Sequence, residues 1–595
     1  MRIIIGVLLV GGLLLGGLND LAGFGLCCMF VHGDTESPAR AVAKEPAEPR
    51  LRQPAALALA DDGSCLFVAN RRSGSISTVN TVTLRTTAEL AVGRSLVDLA
   101  SSPRGQLLAV DEAARELIVL SRRGSAVHVV HRLPVPPIPV RVQITQEGDR
   151  CFVTSLWARQ VSEIDLTTVP PHIVRTISLP FAPREELLIA DGKLVVADAF
   201  GGQLAVLDIG RGKADSVRTL PAHNLRGLAL SHDGKELWVT HQALNSRAGA
   251  TFDDVHWGNL MTNNLRVLRL TEVLSPQADL LPASRVHYLG DVGNAAGDPA
   301  GVAVGRDGTV VVALAGVGDV ALGKESEAPW RRVTVGRRPT AVVLSSDGRR
   351  AFVANQFGDS VSVLDLLNRT VTANVPLGSQ PELSASDRGE LLFYDARLSH
   401  DGWMSCHSCH TDGHTNGLLA DTLGDGSLGT PKRVLSLLGA RDTAPYAWNG
   451  SMANLESQIR KSIVTTLHGA QPSEQQVTDL AAYVRTLPPP TPLARRVDPA
   501  SVQRGQEVFH NQSCNRCHTP PEYTSKGTYD VGLKDEAGNT RFNPPSLRGI
   551  SQGGPYFHDN RAATLEEVFT RHRHQLTREL SRHELADLLA FLGSL

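Results

Sequence analysis

Residues 55–80 read AALALADDGSCLFVANRRSGSISTVN, and residues 340–365 read TAVVLSSDGRRAFVANQFGDSVSVLD. Each stretch holds an alternating apolar run, an Asp-Gly turn, a second run ending in Val-Ala-Asn, and a third run beyond a glycine. A period of two puts every second side chain on one face, the pattern of a β-strand rather than a helix. Asp-Gly supplies the turn geometry of tight hairpins. Further copies begin near Ser95, Val140, Ala182, Leu225 and Pro299, so seven units fill residues 51–380. Four strands in a repeat of roughly 40–45 residues make one blade of a β-propeller.

The fifth unit is longer than the rest. Its surplus is placed after a strand at Glu236–His241 and holds Asp253, Asp254, His256, Trp257 and Asn259. In a propeller the link between second and third strands shares a face with the inter-blade loops, where partners dock. The insert could cover a cofactor edge, bind a metal, hold the C-terminal region in place, or simply decorate the surface. Cys65 and Cys151 occupy equivalent strand positions and read as buried core thiols rather than a disulfide.

Beyond Pro381 the period turns helical, and two pentapeptides stand out: Cys406-His407-Ser408-Cys409-His410 and Cys514-Asn515-Arg516-Cys517-His518. Cys-x-x-Cys-His is the attachment sequence of a c-type haem. Two thiols on one helical turn reach the two vinyl groups, and the following histidine ligates the iron. Cys406, Cys409, Cys514 and Cys517 are thus the covalent anchors, with His410 and His518 as proximal ligands. Arg388-Gly389-Glu390 before the first motif is echoed by Arg504-Gly505-Gln506 before the second. Amphipathic helices from Glu474 and Arg582 close the two segments, with capping boxes at Ser473/Gln476 and Ser581/Glu584. The expected fold class is multidomain: an all-β seven-bladed propeller followed by two mainly α cytochrome c-like domains, at 381–487 and 501–595. The Pro-rich stretch 488–500 is the stiff joint between them.

At 595 residues the chain can bury several cores, and a net charge of −2 argues against a nucleic-acid partner. Residues 1–33 are apolar behind Arg2 and read as a signal peptide or N-terminal membrane anchor, with 34–50 a flexible linker. Export to the periplasm suits haem c, which is attached outside the cytoplasm.

The blades resemble the YVTN family of seven-bladed propellers, with Phe-Val-Ala-Asn in place of its namesake tetrapeptide. Leu392-Phe393-Tyr394-Asp395-Ala396-Arg397-Leu398-Ser399, Trp448-Asn449-Gly450-Ser451, Leu455-Glu456-Ser457-Gln458, Pro545-Ser546-Leu547-Arg548-Gly549 and Pro555-Tyr556-Phe557-His558-Asp559 resemble the di-haem cytochrome c peroxidase family, which includes MauG-type enzymes. The resemblance implies that hydrogen peroxide reacts at haem 1, that haem 2 transfers electrons, and that calcium lies between them, with ligands not identifiable in this sequence. It makes Trp448 the relay between haems and Gln458 the active-site glutamine. His468 falls where the family has a glutamate acid–base, so it either shuttles protons or caps the iron. The family's removable histidine ligand is replaced by Gly426, and its Trp-Asp-Gly-Arg reads Trp-Asn-Gly-Ser.

The count from Pro555 puts the distal ligand of haem 2 at His572, with its neighbour His574 as the alternative; no methionine follows Met452. His558 and His583 are read as structural. The expected partners are an electron-donor protein or a substrate protein oxidised in the MauG manner, docked by the propeller. The competing expectation is a non-enzymatic electron-transfer protein with both irons closed.

Overall fold

The computed structural model describes residues 49–189, 192–327, 330–493 and 498–595. The expected leader at 1–33, nearly all of the linker at 34–50, and residues 494–497 of the Pro-rich joint lie outside the described residues. Among the described residues no helix is long and apolar enough to cross a membrane.

Seven antiparallel four-stranded sheets follow one another, each built from consecutive strands, the first spanning Pro54–Ala91 and the seventh Pro339–Pro376. The second strand of a blade is buried on both faces, as in Cys65–Asn70, while the fourth, as in Arg85–Ala91, is largely exposed. The ring closes without exchanging strands: Leu57, Leu66 and Val68 of blade one pack with Phe352, Ala354 and Val361 of blade seven. The repeated asparagine ends a buried strand with both N–H groups of its side chain given acceptors. Asn70 Nδ2 donates to the hydroxyls of Ser75 and Ser77, and Asn355 Nδ2 to those of Ser360 and Ser362. Cys65 and Cys151 are unpaired and buried in separate apolar clusters.

Blade five departs from the expected layout. Its second strand runs Glu236–Leu244, past His241, and the surplus divides between two places. One part is residues 245–260 with a one-turn helix at Phe252–His256; the other is residues 270–284 after the third strand.

The C-terminal region repeats one plan twice. Helix Ala385–Phe393 crosses Glu474–Thr486, and helix Pro499–Asn511 crosses Arg582–Ser594. Both crossings demand a glycine. A Cβ on Gly389 would stand 1.9 Å from the Asp479 carbonyl oxygen, and one on Gly505 the same 1.9 Å from that of Asp587. Arg388 grips the Asp479 carboxylate with two donors, as Arg504 grips Asp587.

The insert of blade five belongs to the core of the first of these domains. Val255 and Leu260 of the insert share one apolar cluster with Phe393, Trp403, Leu455 and Leu480. These two side chains are at most 3% exposed, and each contributes roughly 1.5–3 kcal/mol by leaving water. Of the roles open to the insert, holding the C-terminal region in place is the one the packing shows.

Candidate haem-binding sites

Cys406 and Cys409 sit on a single helical turn, Cys406–Cys409, and both line a cavity of about 350 Å³ between the two C-terminal domains. Phe393, Leu437, Leu455 and Ile459 supply apolar walls, and Pro545 and Ile550 close it from the second domain. His410 Nδ1 donates to the Leu435 carbonyl at 2.8 Å, which fixes the tautomer and leaves Nε2 bare. Burial pushes this imidazole down to about 4, so it is neutral and able to ligate. Paired thiols, a neutral oriented imidazole and an apolar cavity fit a covalent haem.

Gln458 lines the same cavity from the helix Leu455–Lys461, and a π-helical turn at Ser462–Thr466 follows directly. Its Nε2 donates to Ser462 Oγ at 3.1 Å, whereas its buried Oε1 has no partner. That orphaned acceptor in the cavity is a site for a hydroxyl-bearing ligand. His414 also lines the cavity, but both its nitrogens are engaged, Nδ1 with Ser436 Oγ and Nε2 with the Gln552 carbonyl.

His468 is placed elsewhere than the sequence suggests. It does not line the cavity; its Nε2 donates to the Ala250 carbonyl of the insert at 2.8 Å, and Phe252 packs edge-on at 5.9 Å. The insert, absent from a simple count of motif positions, captures the ring. Trp448 lines the cavity where the two domains meet. Its Nε1 donates to the Arg433 carbonyl at 2.8 Å, its carbonyl accepts from Asn543 N, and its ring meets His558 at 6.2 Å, edge to face. His558 in turn stacks on Phe542 at 4.4 Å. Lys432 pairs with Asp425 at 2.9 Å and Asp535 at 3.0 Å, so an internal cation spans the acidic groups at this seam.

The outer side of the first motif is gripped by the propeller. Ser405 and Ser408 hydroxyls donate to opposite oxygens of Asp298, at 2.5 and 2.6 Å. His223 Nε2 donates to the Ser408 carbonyl at 2.9 Å, and Gln242 Nε2 to Ser408 Oγ at 3.1 Å. Burial pushes the His223 imidazole down to about 4. Just past the motif, Asp412 receives Arg184 at 2.5 Å and Arg226 at 2.8 Å. Burial alone would raise its carboxyl, but the two guanidiniums hold it well below the usual range. The propeller face expected to dock a partner is therefore filled by the chain's own C-terminal region. Asp298, His223, Gln242, Arg184 and Arg226 carry no motif, so spacing offered no signal for them.

At the second motif the turn is the 3₁₀ segment Cys514–Arg516, and its cysteines and histidine are partly exposed. His518 Nδ1 donates to the Tyr523 carbonyl at 3.1 Å, again freeing Nε2. The expected distal ligand His572 has its Nε2 bonded to the Arg561 carbonyl at 3.1 Å. His574 stands two positions further on, and its ring meets Phe557 at 5.4 Å. Burial, and next the nearness of His518, push its imidazole down to about 4. Arg573 (φ 45°) and Gln575 (φ 50°) on either side of it are left-handed.

A family model described as di-haem cytochrome c peroxidase matches residues 385–489. The C-terminal region is similar to the di-haem cytochrome c peroxidases and MauG proteins, and in this chain it is joined to a seven-bladed propeller. It is 28% identical to the methylamine utilization protein MauG of Methylophilus methylotrophus over 288 residues, covering 37% of this chain and 84% of that protein. It is 26% identical to the cytochrome c551 peroxidase of Nitrosomonas europaea over 265 residues, covering 35% of this chain and 79% of the other. Among solved structures, the Kuenenia stuttgartiensis hydrazine synthase aligns with TM-score 0.47 at 22% identity, over 56% of this chain and 99% of that one. A domain of unknown function, DUF7165, matches residues 76–279 within the blades.

Proposed function

We propose that the protein is an exported, periplasmic di-haem c-type cytochrome that reacts with hydrogen peroxide at the first site and exchanges electrons with a partner protein at the second. The observation that carries this is the distal side of the first cavity. Its imidazoles are His410, the proximal ligand, and His414, which is fully engaged, while Gln458 presents an unpartnered Oε1. Among the described residues no lining histidine besides His410 has a free ring nitrogen, so a haem held by Cys406, Cys409 and His410 would leave room for peroxide beside Gln458.

Haem c, attached through Cys406 and Cys409 and through Cys514 and Cys517, supplies the redox-active iron at each site. Gln458 accepts a hydrogen bond from the peroxide hydroxyl and orients it. The apolar walls exclude bulk water, which strengthens that bond. Trp448 and His558 bridge the seam between the domains as the aromatic path for electrons or holes. His574, whose imidazole the nearby His518 helps to lower, would close the second site, and the partly exposed Cys514 and Cys517 are where an electron donor or a substrate protein would dock. Calcium, implied by the resemblance, is given no ligands in this reading, because Lys432 holds Asp425 and Asp535 at the seam.

Electron paramagnetic resonance of the ferric protein tests it. One high-spin signal that stoichiometric peroxide consumes, beside one low-spin signal, is the expected result. Two low-spin signals unmoved by peroxide would leave an electron-transfer protein and overturn the reading.

A further inference from the structure

We propose that His256, His400 and Asp401 form a binding site for a divalent transition-metal ion of the zinc class, at the junction of the blade-five insert and the first cytochrome domain. The inference does not depend on what happens at either haem site. Among the described residues these three converge: one potential ligand atom from each lies within 4.8 Å of the others.

The geometry is that of a ligand set. His256 Nδ1 stands 2.9 Å from His400 Nε2 and 3.6 Å from Asp401 Oδ2, and His400 Nε2 stands 3.5 Å from the same oxygen. Donors at ~2.0–2.1 Å from a tetrahedral zinc ion are separated by ~3.3–3.4 Å, which these three edges bracket. Two imidazoles with one carboxylate suit a borderline cation such as zinc rather than calcium or magnesium, which prefer oxygen. The side chains are 28%, 27% and 19% exposed, so an ion can enter and a water can complete the fourth position.

The supports are in place around the donors. Gly293 N donates to Asp401 Oδ2 at 2.9 Å, which orients the carboxylate as an outer-sphere hydrogen bond does at metal sites. Asp401 is held in the left-handed region at φ 58°, a conformation that non-glycine residues adopt at a cost. The Phe252 ring lies parallel to His256 at 5.6 Å and 4.9 Å from His400, shielding the site from one side. Trp403 Nε1 donates to the His256 carbonyl at 3.3 Å, tying the helix end to the cytochrome domain. Without an ion, the two imidazoles share a single N–H at 2.9 Å beside the carboxylate. A dication satisfies both nitrogens and the carboxylate together.

The ligands come from segments about 145 positions apart, His256 on the propeller insert and His400 and Asp401 just before the haem motif. An ion here stitches the propeller to the haem 1 domain, and it binds only when the two are assembled.

The test uses the untagged, full-length holoprotein, stripped with a chelator and titrated with Zn²⁺ alone. Calorimetry and elemental analysis are expected to give one zinc per two haem irons. His256→Ala and His400→Ala should each weaken binding at least about a hundredfold, while His232→Ala, a surface histidine paired with Glu325, leaves it unchanged. Zinc-edge X-ray absorption of the wild type should show two imidazoles plus oxygen ligands, a readout that needs no variant to fold. Absence of a saturable one-per-chain site, or full zinc affinity in the His256→Ala/His400→Ala double variant, overturns the proposal.

Discussion

The two cytochrome domains are copies whose scaffolds agree and whose iron sites differ. Gly389 and Gly505 make the same helix crossing, braced by Arg388–Asp479 and Arg504–Asp587. Tyr446 and Tyr556 make matching backbone pairs, with Met452 and Ala562, and their hydroxyls donate to the Ala440 and Ile550 carbonyls. Two positions on from these tyrosines stand Trp448 and His558, which meet each other at the seam. Yet the first domain has Gln458 where the helix of the second has the buried Val568, and in the second the nearness of His518 helps to lower the His574 imidazole. Ser405, His407 and Ser408 at the first motif are buried against the propeller, whereas no residue of the second motif is buried. One scaffold thus carries two motifs in different surroundings, and the difference rests on a few side chains.

The largest break in that contrast is expected from His574→Ala. Removing the distal imidazole should convert the low-spin signal of the second site entirely to high spin and shift its potential by on the order of 0.1 V. His572→Ala should leave the spectrum as it was, because that ring is spent on the Arg561 carbonyl. A low-spin second site surviving in His574→Ala, and lost in His572→Ala, would reverse the assignment.

Second in size is the grip on the first motif. Asp298 is 2% exposed and accepts both Ser405 and Ser408 hydroxyls. Asp298→Ala leaves the protons of two buried hydroxyls without their acceptor and should cost about 3 kcal/mol in denaturant unfolding. Asn515→Ala, inside the second motif, has no such grip to lose and should change stability by under about 0.5 kcal/mol. Equal losses at the two motifs would erase the distinction drawn between them.

Much of this was legible in the chain and some was not, for physical reasons. Blades show in the sequence because strand alternation and Asp-Gly turns are local, and Cys-x-x-Cys-His carries its chemistry within five residues. Gln458 and Trp448 were named from family motif positions, and both line the cavity. His468 and His572 were named the same way, but a side chain's direction depends on what packs against it. The insert's Ala250 carbonyl holds the first, and the Arg561 carbonyl holds the second. The grip of Asp298, His223 and Arg226 on the haem loop joins residues far apart in sequence, a relation that no periodicity records.

Acid should loosen that grip selectively. His223 is fully buried and its imidazole lies at about 4 in the folded chain, against ~6.5 when unfolded. A depressed value means that the neutral ring's contribution is complete above the unfolded value and is lost as pH falls through the folded one. Roughly 2 kcal/mol should be gone by pH 5. Buried His407, also held well below its ordinary value by burial and then by Arg226, adds in the same direction. His223→Gln keeps a donor for the Ser408 carbonyl but does not titrate, so its unfolding free energy should fall less between pH 7 and pH 5 than that of the wild type. Parallel pH profiles for the two proteins would remove His223 from the account.

The smallest expected effect sharpens the comparison most, because it separates two residues that sequence reasoning placed side by side. Gln458→Leu removes the one unpartnered acceptor in the first cavity and should slow peroxide consumption roughly ten- to a hundredfold while the high-spin signal persists. His468→Ala should change that rate less than about threefold and leave the spin state alone, since its ring is bonded to Ala250 rather than facing the iron. Its cost should appear instead as about 1 kcal/mol of stability at the insert, the worth of one hydrogen bond. If His468→Ala matched Gln458→Leu in rate, the imidazole must leave Ala250 during turnover, and the insert would be a moving part of the first site. A rate near wild type with lowered stability fixes the division of labour that the geometry gives: Gln458 handles the ligand, and His468 holds the propeller against the domain that binds it.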